Sequence, residues 1–138
     1  MACNCDKCGN GKITGLAHIG IMVKDAEVSK KFYMDVLDFE LKAEYKLGDM
    51  TLVFIDRGDC KIEQVAKASN EARLPGTVDH ICLEVEDIEP LMCKLIEKGI
   101  KFDTDNYGYM PDLFGGVRNV FFKGPDGERI EFFDYMKK

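Results

Sequence analysis

The sequence predicts an α+β fold in which one βαβββ unit is used twice in tandem. Three observations predict it. Residues 18–25, HIGIMVKD, return 62 positions later as residues 80–87, HICLEVED. Residues 53–63, VFIDRGDCKIE, return 68 positions later as residues 121–131, FFKGPDGERIE. Between the two blocks of each copy lies a stretch with helical spacing of apolar residues, then short strand-like runs. Matched blocks in the same order mark a duplicated structural unit.

The elements follow in chain order. Residues 1–15 form a polar, Cys-rich tail without an apolar stretch, so they do not read as a secretory signal. The first module spans 16–66. Ile19, Ile21 and Val23 alternate with His18, Gly20 and Met22, the pattern of a strand with two unlike faces. Asp25 suits a helix N-cap, Glu27 suits the first turn, and Val28, Phe32 and Val36 recur at helical spacing. Strands are expected at 40–45, 51–55 and 60–65. Residues 67–77, KASNEARLPGT, are a polar linker with a Pro-Gly turn signal.

The second module, 78–136, repeats this plan. Ile81, Leu83 and Val85 alternate, Asp87 is placed to cap, and Pro90 is tolerable in a first turn. Ile88, Met92, Leu95 and Ile96 make the apolar stripe, and Gly99 ends the helix. Strands are expected at 100–103, 118–123 and 128–133. The offset grows between the two repeated blocks, so the second module carries about six extra residues there. Residues 103–116, DTDNYGYMPDLFGG, are rich in Gly, Asp, Asn and Tyr and read as the inserted loop. Loops on rigid scaffolds commonly carry binding residues.

Composition narrows the function. The chain has 138 residues, enough for one domain with a real core. Its net charge of −6 argues against nucleic-acid binding, which needs clustered Lys and Arg. No apolar run is long enough for a transmembrane helix. The six cysteines, with no secretory signal, read as reduced thiols in a cytoplasmic protein. Cys3, Cys5 and Cys8 form C-x-C-x-x-C, which suits either a soft metal or a tail of free thiols. Cys82 shares the parity of His80, whereas Cys60 and Cys93 read as buried filler.

The chain has two histidines, His18 and His80, at one position of the repeat. Glu63 and Glu131 share another. Ile62 and Ile130 are expected to face the helices, so both glutamates face the other way, and the same parity applies to the histidines. Two imidazoles and two carboxylates on one concave wall suit a divalent first-row metal: Zn, Ni, Co, Fe or Mn. Such an ion with two open positions captures a substrate through two adjacent oxygens. A carboxylate beside it then moves a proton. Gln64 is the alternative ligand if the register is shifted by one. Lys61, Arg73, Arg118 and Arg129 are candidate anion partners.

These segments, with residues 29–41, SKKFYMDVLDFEL, and GPDGERIEF at 124–132, resemble the vicinal oxygen chelate superfamily. That superfamily includes glyoxalase I, methylmalonyl-CoA epimerase, extradiol dioxygenases, and fosfomycin and bleomycin resistance proteins. The resemblance implies a curved eight-stranded mixed sheet around a metal-binding cleft. It places His18, Glu63, His80 and Glu131 at the four metal-ligand positions. It implies a glyoxalase-like, lactoylglutathione lyase-type reaction on a small substrate with vicinal oxygens, with Glu131 moving the proton and Glu63 a second base. An epimerase acting on a methylmalonyl thioester, a small-molecule-binding resistance protein and an Fe(II) dioxygenase are the alternatives. Family members often pair each module with the opposite module of a second subunit. A homodimer is therefore expected, each cleft taking His18 and Glu63 from one chain and His80 and Glu131 from the other. Asp38 stands at a turn where the family usually has Gly.

Overall fold

The computed structural model describes residues 16–71 and 78–137. Cys3, Cys5, Cys8 and Arg73 lie outside the described residues. The elements in order are β1 (Ile19–Val23), α1 (Ala26–Asp35), β2 (Glu40–Leu47), β3 (Met50–Arg57), β4 (Cys60–Ala66), β5 (Ile81–Glu84), α2 (Ile88–Glu97), β6 (Gly108–Met110), β7 (Val117–Lys123) and β8 (Arg129–Tyr135).

The βαβββ order appears twice, as expected, and the eight strands form two four-stranded sheets of the same topology, β1-β4-β3-β2 and β5-β8-β7-β6. In each, the first strand lies parallel to the fourth and the remaining pairs are antiparallel. The register repeats as well. Gly20 lies opposite Glu63, and Cys82 lies opposite Glu131.

Both helix-side faces feed one continuous core. Tyr33 and Phe39 from the first helical region meet Val53, Ile55 and Ile62, and the same cluster continues through Ile81, Ile88, Leu95, Phe122 and Ile130. Each fully buried Ile or Phe contributes roughly 1.5–3 kcal/mol. The modules are also tied at one seam. Asp126 accepts the Lys24 backbone N–H at 2.8 Å, and the Tyr33 hydroxyl donates to Glu128 at 3.3 Å. The corresponding turn of the first module, Gly58 and Asp59, is shorter. It borders a cavity of about 680 Å³ between the end of α1 and β5.

The local differences from expectation have physical causes. Asp25 caps α1 through the N–H groups of Glu27 and Val28, at 2.9 and 3.1 Å. Asp87 does not cap α2. It sits at φ +56°, and Asp134 on β8 accepts the Ile88 N–H instead, at 3.1 Å. The buried line of α1 is Ser29 and Tyr33, one position round from the expected stripe, because small Ser29 fits under the helix and leaves Val28 exposed. On α2, Ile88, Met92 and Leu95 are buried as expected, while Ile96 and Cys93 face solvent. Cys60 is only half-buried. Asp38 takes φ +58°, a turn conformation that Asp tolerates better than most residues.

Residues 100–103 do not form the expected strand. A single bridge joins Phe102 to Phe122, and the next pair is Gly108 with Asn119. Six steps along the edge are thus matched by three on β7. The polar stretch between Phe102 and Gly108 bulges out of the ladder, and pairing resumes as β6 inside the expected loop.

Candidate metal centre

Each sheet carries the same three-residue stripe on the face away from its helix. His18 stands just before β1, Glu63 on β4, and Phe54 on β3 directly opposite Glu63. His18 Nε2 lies 2.7 Å from Glu63 Oε2, and the His18 and Phe54 rings meet edge to face at 5.9 Å. In the second module His80 Nε2 lies 2.9 Å from Glu131 Oε2, and His80 meets Phe121 at 5.5 Å. Phe121 lies opposite Glu131. Strand alternation produces this arrangement: Ile62 and Ile130 point into the core, so the adjacent glutamates point out.

The same alternation settles the neighbouring amide. Gln64 is wholly buried on the helix side, so Glu63 and not Gln64 pairs with His18.

The structure therefore brings the four residues together as two pairs. Both pairs lie on faces turned away from the shared core. Among the described residues, no group of three or more His, Cys, Asp and Glu side chains is arranged to hold a metal ion. The single chain presents two half-sites.

Aromatic rings wall both. Tyr45 packs on Phe54 at 6.1 Å in the first and is 55% exposed. In the second, Phe133 packs on Tyr135 and Phe114 reaches over Tyr135 at 5.7 Å. Phe114 comes from the inserted loop.

The surroundings of the second pair are polar. His80 Nδ1 lies 2.8 Å from Asp79 Oδ2, and Arg129 reaches the same oxygen at 2.7 Å. The Arg129 guanidinium lies over the Phe121 ring at 4.3 Å. The hydrogen bond with His80, then the Arg129 charge, hold the Asp79 carboxyl below its ordinary range. Asn119 Nδ2 donates to Glu131 Oε1 at 2.9 Å. Burial, then the Glu131 charge, push the Cys82 thiol up to about 12, so it stays protonated at neutral pH.

Among the candidate anion partners, Arg129 is thus engaged at the site. Arg118 is turned to Tyr107 and Met136. Lys61 is exposed. Asp79, Asn119, Phe54 and Phe121 escaped the sequence reading. Strand parity extended by one strand would have found the two phenylalanines.

The donor set fits a divalent cation. Two neutral imidazoles supply borderline nitrogen ligands and two carboxylates supply charge that balances the ion.

Comparison with known proteins shows the family. Residues 15–132 match the Glyoxalase/Bleomycin resistance protein/Dioxygenase superfamily. The chain is 36% identical over 121 residues to the uncharacterized protein YwbC of Bacillus subtilis, covering 84% of this chain and 94% of that one. It is 31% identical over 130 residues to a probable lactoylglutathione lyase of Synechocystis sp., covering 89% and 97%. A solved glyoxalase family protein from Enterococcus faecalis superposes with a TM-score of 0.71 at 25% identity, over 87% of this chain and 97% of its own. With the family match spanning nearly all the described residues, the chain belongs to the Glyoxalase/Bleomycin resistance protein/Dioxygenase superfamily.

Proposed function

We propose that the protein is a metal-dependent, lactoylglutathione lyase-like enzyme of the cytoplasm that isomerises a small substrate chelated through vicinal oxygens. It acts as a homodimer. Each cleft takes His18 and Glu63 from module 16–66 of one chain and His80 and Glu131 from module 78–136 of its partner. One observation carries the reading: the same His–Glu–Phe stripe occurs twice, in the same register, and among the described residues the two stripes form no common metal-holding group. A site so divided is completed by a second copy. The similarity to the Synechocystis lyase supports the reaction class.

In this reading a divalent ion held by His18, Glu63, His80 and Glu131 supplies Lewis acidity toward two adjacent substrate oxygens. Glu131 takes the proton from the carbon bearing one of them and delivers it to the neighbouring carbon. Its position suits that task. The side chain is 7% exposed, which limits exchange of the carried proton with solvent. Asn119 holds its second oxygen, so the carboxylate is oriented before substrate arrives. Glu63, 18% exposed, stands as the second base. The aromatic walls exclude water and pack on the apolar part of the substrate.

A mixing experiment tests the assembly. The His18→Ala and His80→Ala variants are each inactive alone toward a methylglyoxal–thiol hemithioacetal. Refolded together, random pairing makes half the dimers mixed, each with one intact cleft, and activity recovers to about a quarter of wild type, the statistical share for a two-site symmetric dimer. A monomer by sedimentation, or no recovery on mixing, overturns the shared cleft. Metal analysis showing no bound divalent ion at saturating metal overturns the site.

A further inference from the structure

The two half-sites carry the same ligands but not the same supports. At the repeat position of Asp79 the first module has Ala17, and at that of Asn119 it has Leu52. Ala and Leu side chains have no polar atom. The second half-site alone therefore has a side-chain acceptor at its histidine and a side-chain donor at its glutamate in these two places.

We propose that Asp79 and Asn119 are positioning residues that preorganise His80 and Glu131 for the metal, so that the second half-site is the high-affinity anchor of the cleft. The inference rests on the metal reading above. An imidazole offers one nitrogen to a metal only when the proton sits on the other. A carboxylate 2.8 Å from Nδ1 holds that proton there and leaves Nε2, which already points at Glu131, as the ligand atom. Asp79 is 48% exposed and would swing freely without a tether. Arg129 supplies one by bonding the same oxygen at 2.7 Å while its guanidinium sits over Phe121, the ring against which His80 also rests. Imidazole and guanidinium thus share one aromatic base, and the carboxylate bridges them.

At Glu131 the device is different. Asn119 occupies Oε1, so Oε2 is the atom left facing His80. Gly108 makes room for it: a Cβ there would come within 2.8 Å of Asn119 Oδ1. A glycine on a β-strand opposite an amide that grips a ligand is explained by that close approach.

The test uses the full-length protein titrated with Co(II) alone. Asp79→Ala is expected to weaken Co(II) binding roughly tenfold, the lower end for loss of an outer partner because this carboxylate is half-exposed. Asp79→Asn keeps an acceptor oxygen and is expected to restore most of the affinity. In the Co(II)-loaded wild type, one paramagnetically shifted imidazole N–H, that of His80, exchanges slowly with water. It vanishes into fast exchange in Asp79→Ala and returns in Asp79→Asn. Both residues lie outside the core, so thermal unfolding of the metal-free variants should match wild type. If Asp79→Ala takes Co(II) as tightly as wild type with the same spectrum, the positioning role is wrong and the metal site stands. If wild type takes no Co(II), the metal reading fails and the positioning role falls with it.

Discussion

The two modules place their polar side chains differently. Beneath its helix the first module buries Ser29 and Gln64, whose side-chain polar atoms find no hydrogen-bond partner among the described residues. The second has Leu91 and Phe132 at those repeat positions. On the cleft face the contrast reverses. A phenylalanine backs each pair, Phe54 in the first and Phe121 in the second, but where the second presents Asp79, Asn119 and Arg129 the first presents Ala17, Leu52 and Lys61. Duplicated units begin equivalent, and here the His–Glu pairs are alike while their surroundings differ. One half hydrogen-bonds both members of its His–Glu pair to neighbouring side chains. The other lacks those two supports and holds its carboxylate less tightly. A cleft made of both joins a rigid anchor to an adaptable face.

The largest break in this comparison comes from the carboxylates themselves. Glu131→Gln keeps size and the Asn119 contact but removes the base. Turnover of a hemithioacetal substrate should fall by roughly two to four orders of magnitude, the range for losing a general base. Glu63→Gln, on the looser side, should cost less. Steady-state rates with metal content measured in parallel decide between them. Equal losses in the two variants would erase the functional distinction between the halves.

A smaller effect is expected when the second half is made to resemble the first. Asn119→Leu installs the residue that stands at Leu52 and leaves Glu131 Oε1 without its donor. Competition titration should show metal dissociation rising about tenfold, in the range for losing a partner of a ligand. The reverse substitution, Leu52→Asn, should tighten binding at most a few-fold, since no glycine on β2 clears space for it. An unchanged affinity in Asn119→Leu would show that burial alone orients Glu131.

The asymmetry under the helices gives a stability test. Gln64→Leu removes an amide that is wholly buried and has no partner among the described residues, at similar volume. Leaving a buried polar group unsatisfied costs about 1–3 kcal/mol, so the variant should be more stable by about 1 kcal/mol in urea unfolding. A loss of stability would show that the amide has a partner, such as buried water, that the substitution displaces.

How much of this was legible from the residues follows from what each feature depends on. The duplication, the strand faces and the His–Glu pairs rest on local periodicity and internal repetition, and both are visible in one chain. The line Glu63 rather than Gln64 followed from the parity of Ile62. The cap of α2 was not legible, because it comes from Asp134, far along the sequence on β8. Asp79 and Asn119 were missed for a similar reason. Their importance lies in a difference between the repeats, and reading by repeat position rewards sameness. The edge strand of the second module moved because three extra steps were absorbed in a bulge, and nothing in local composition sets where pairing resumes.

The seam between the modules offers the finest distinction. On one side the long turn of the second module packs against α1, with Glu128 accepting from Tyr33 and from the Asp126 N–H. On the other, Leu95 stands at the repeat position of Tyr33 and the shorter turn leaves a cavity. Burial, outweighing its hydrogen bonds, raises the Glu128 carboxyl above its ordinary range, with the Asp126 charge adding to the rise. A carboxyl whose folded pKa is raised is harder to ionise in the folded state than in the unfolded chain. Its effect is therefore absent below the unfolded value. It appears as pH climbs toward the folded value and is a constant penalty above it. Glu128→Gln keeps the size and cannot ionise. The difference in unfolding free energy, wild type minus variant, should accordingly decline as pH rises from about 4 toward neutrality, the side of the ordinary carboxyl value on which a raised group ionises. Urea unfolding of both proteins across that range measures it. A difference that stays flat, or that grows with pH, would mean that the charged carboxylate is welcome at the seam and that the Tyr33 contact outweighs its burial.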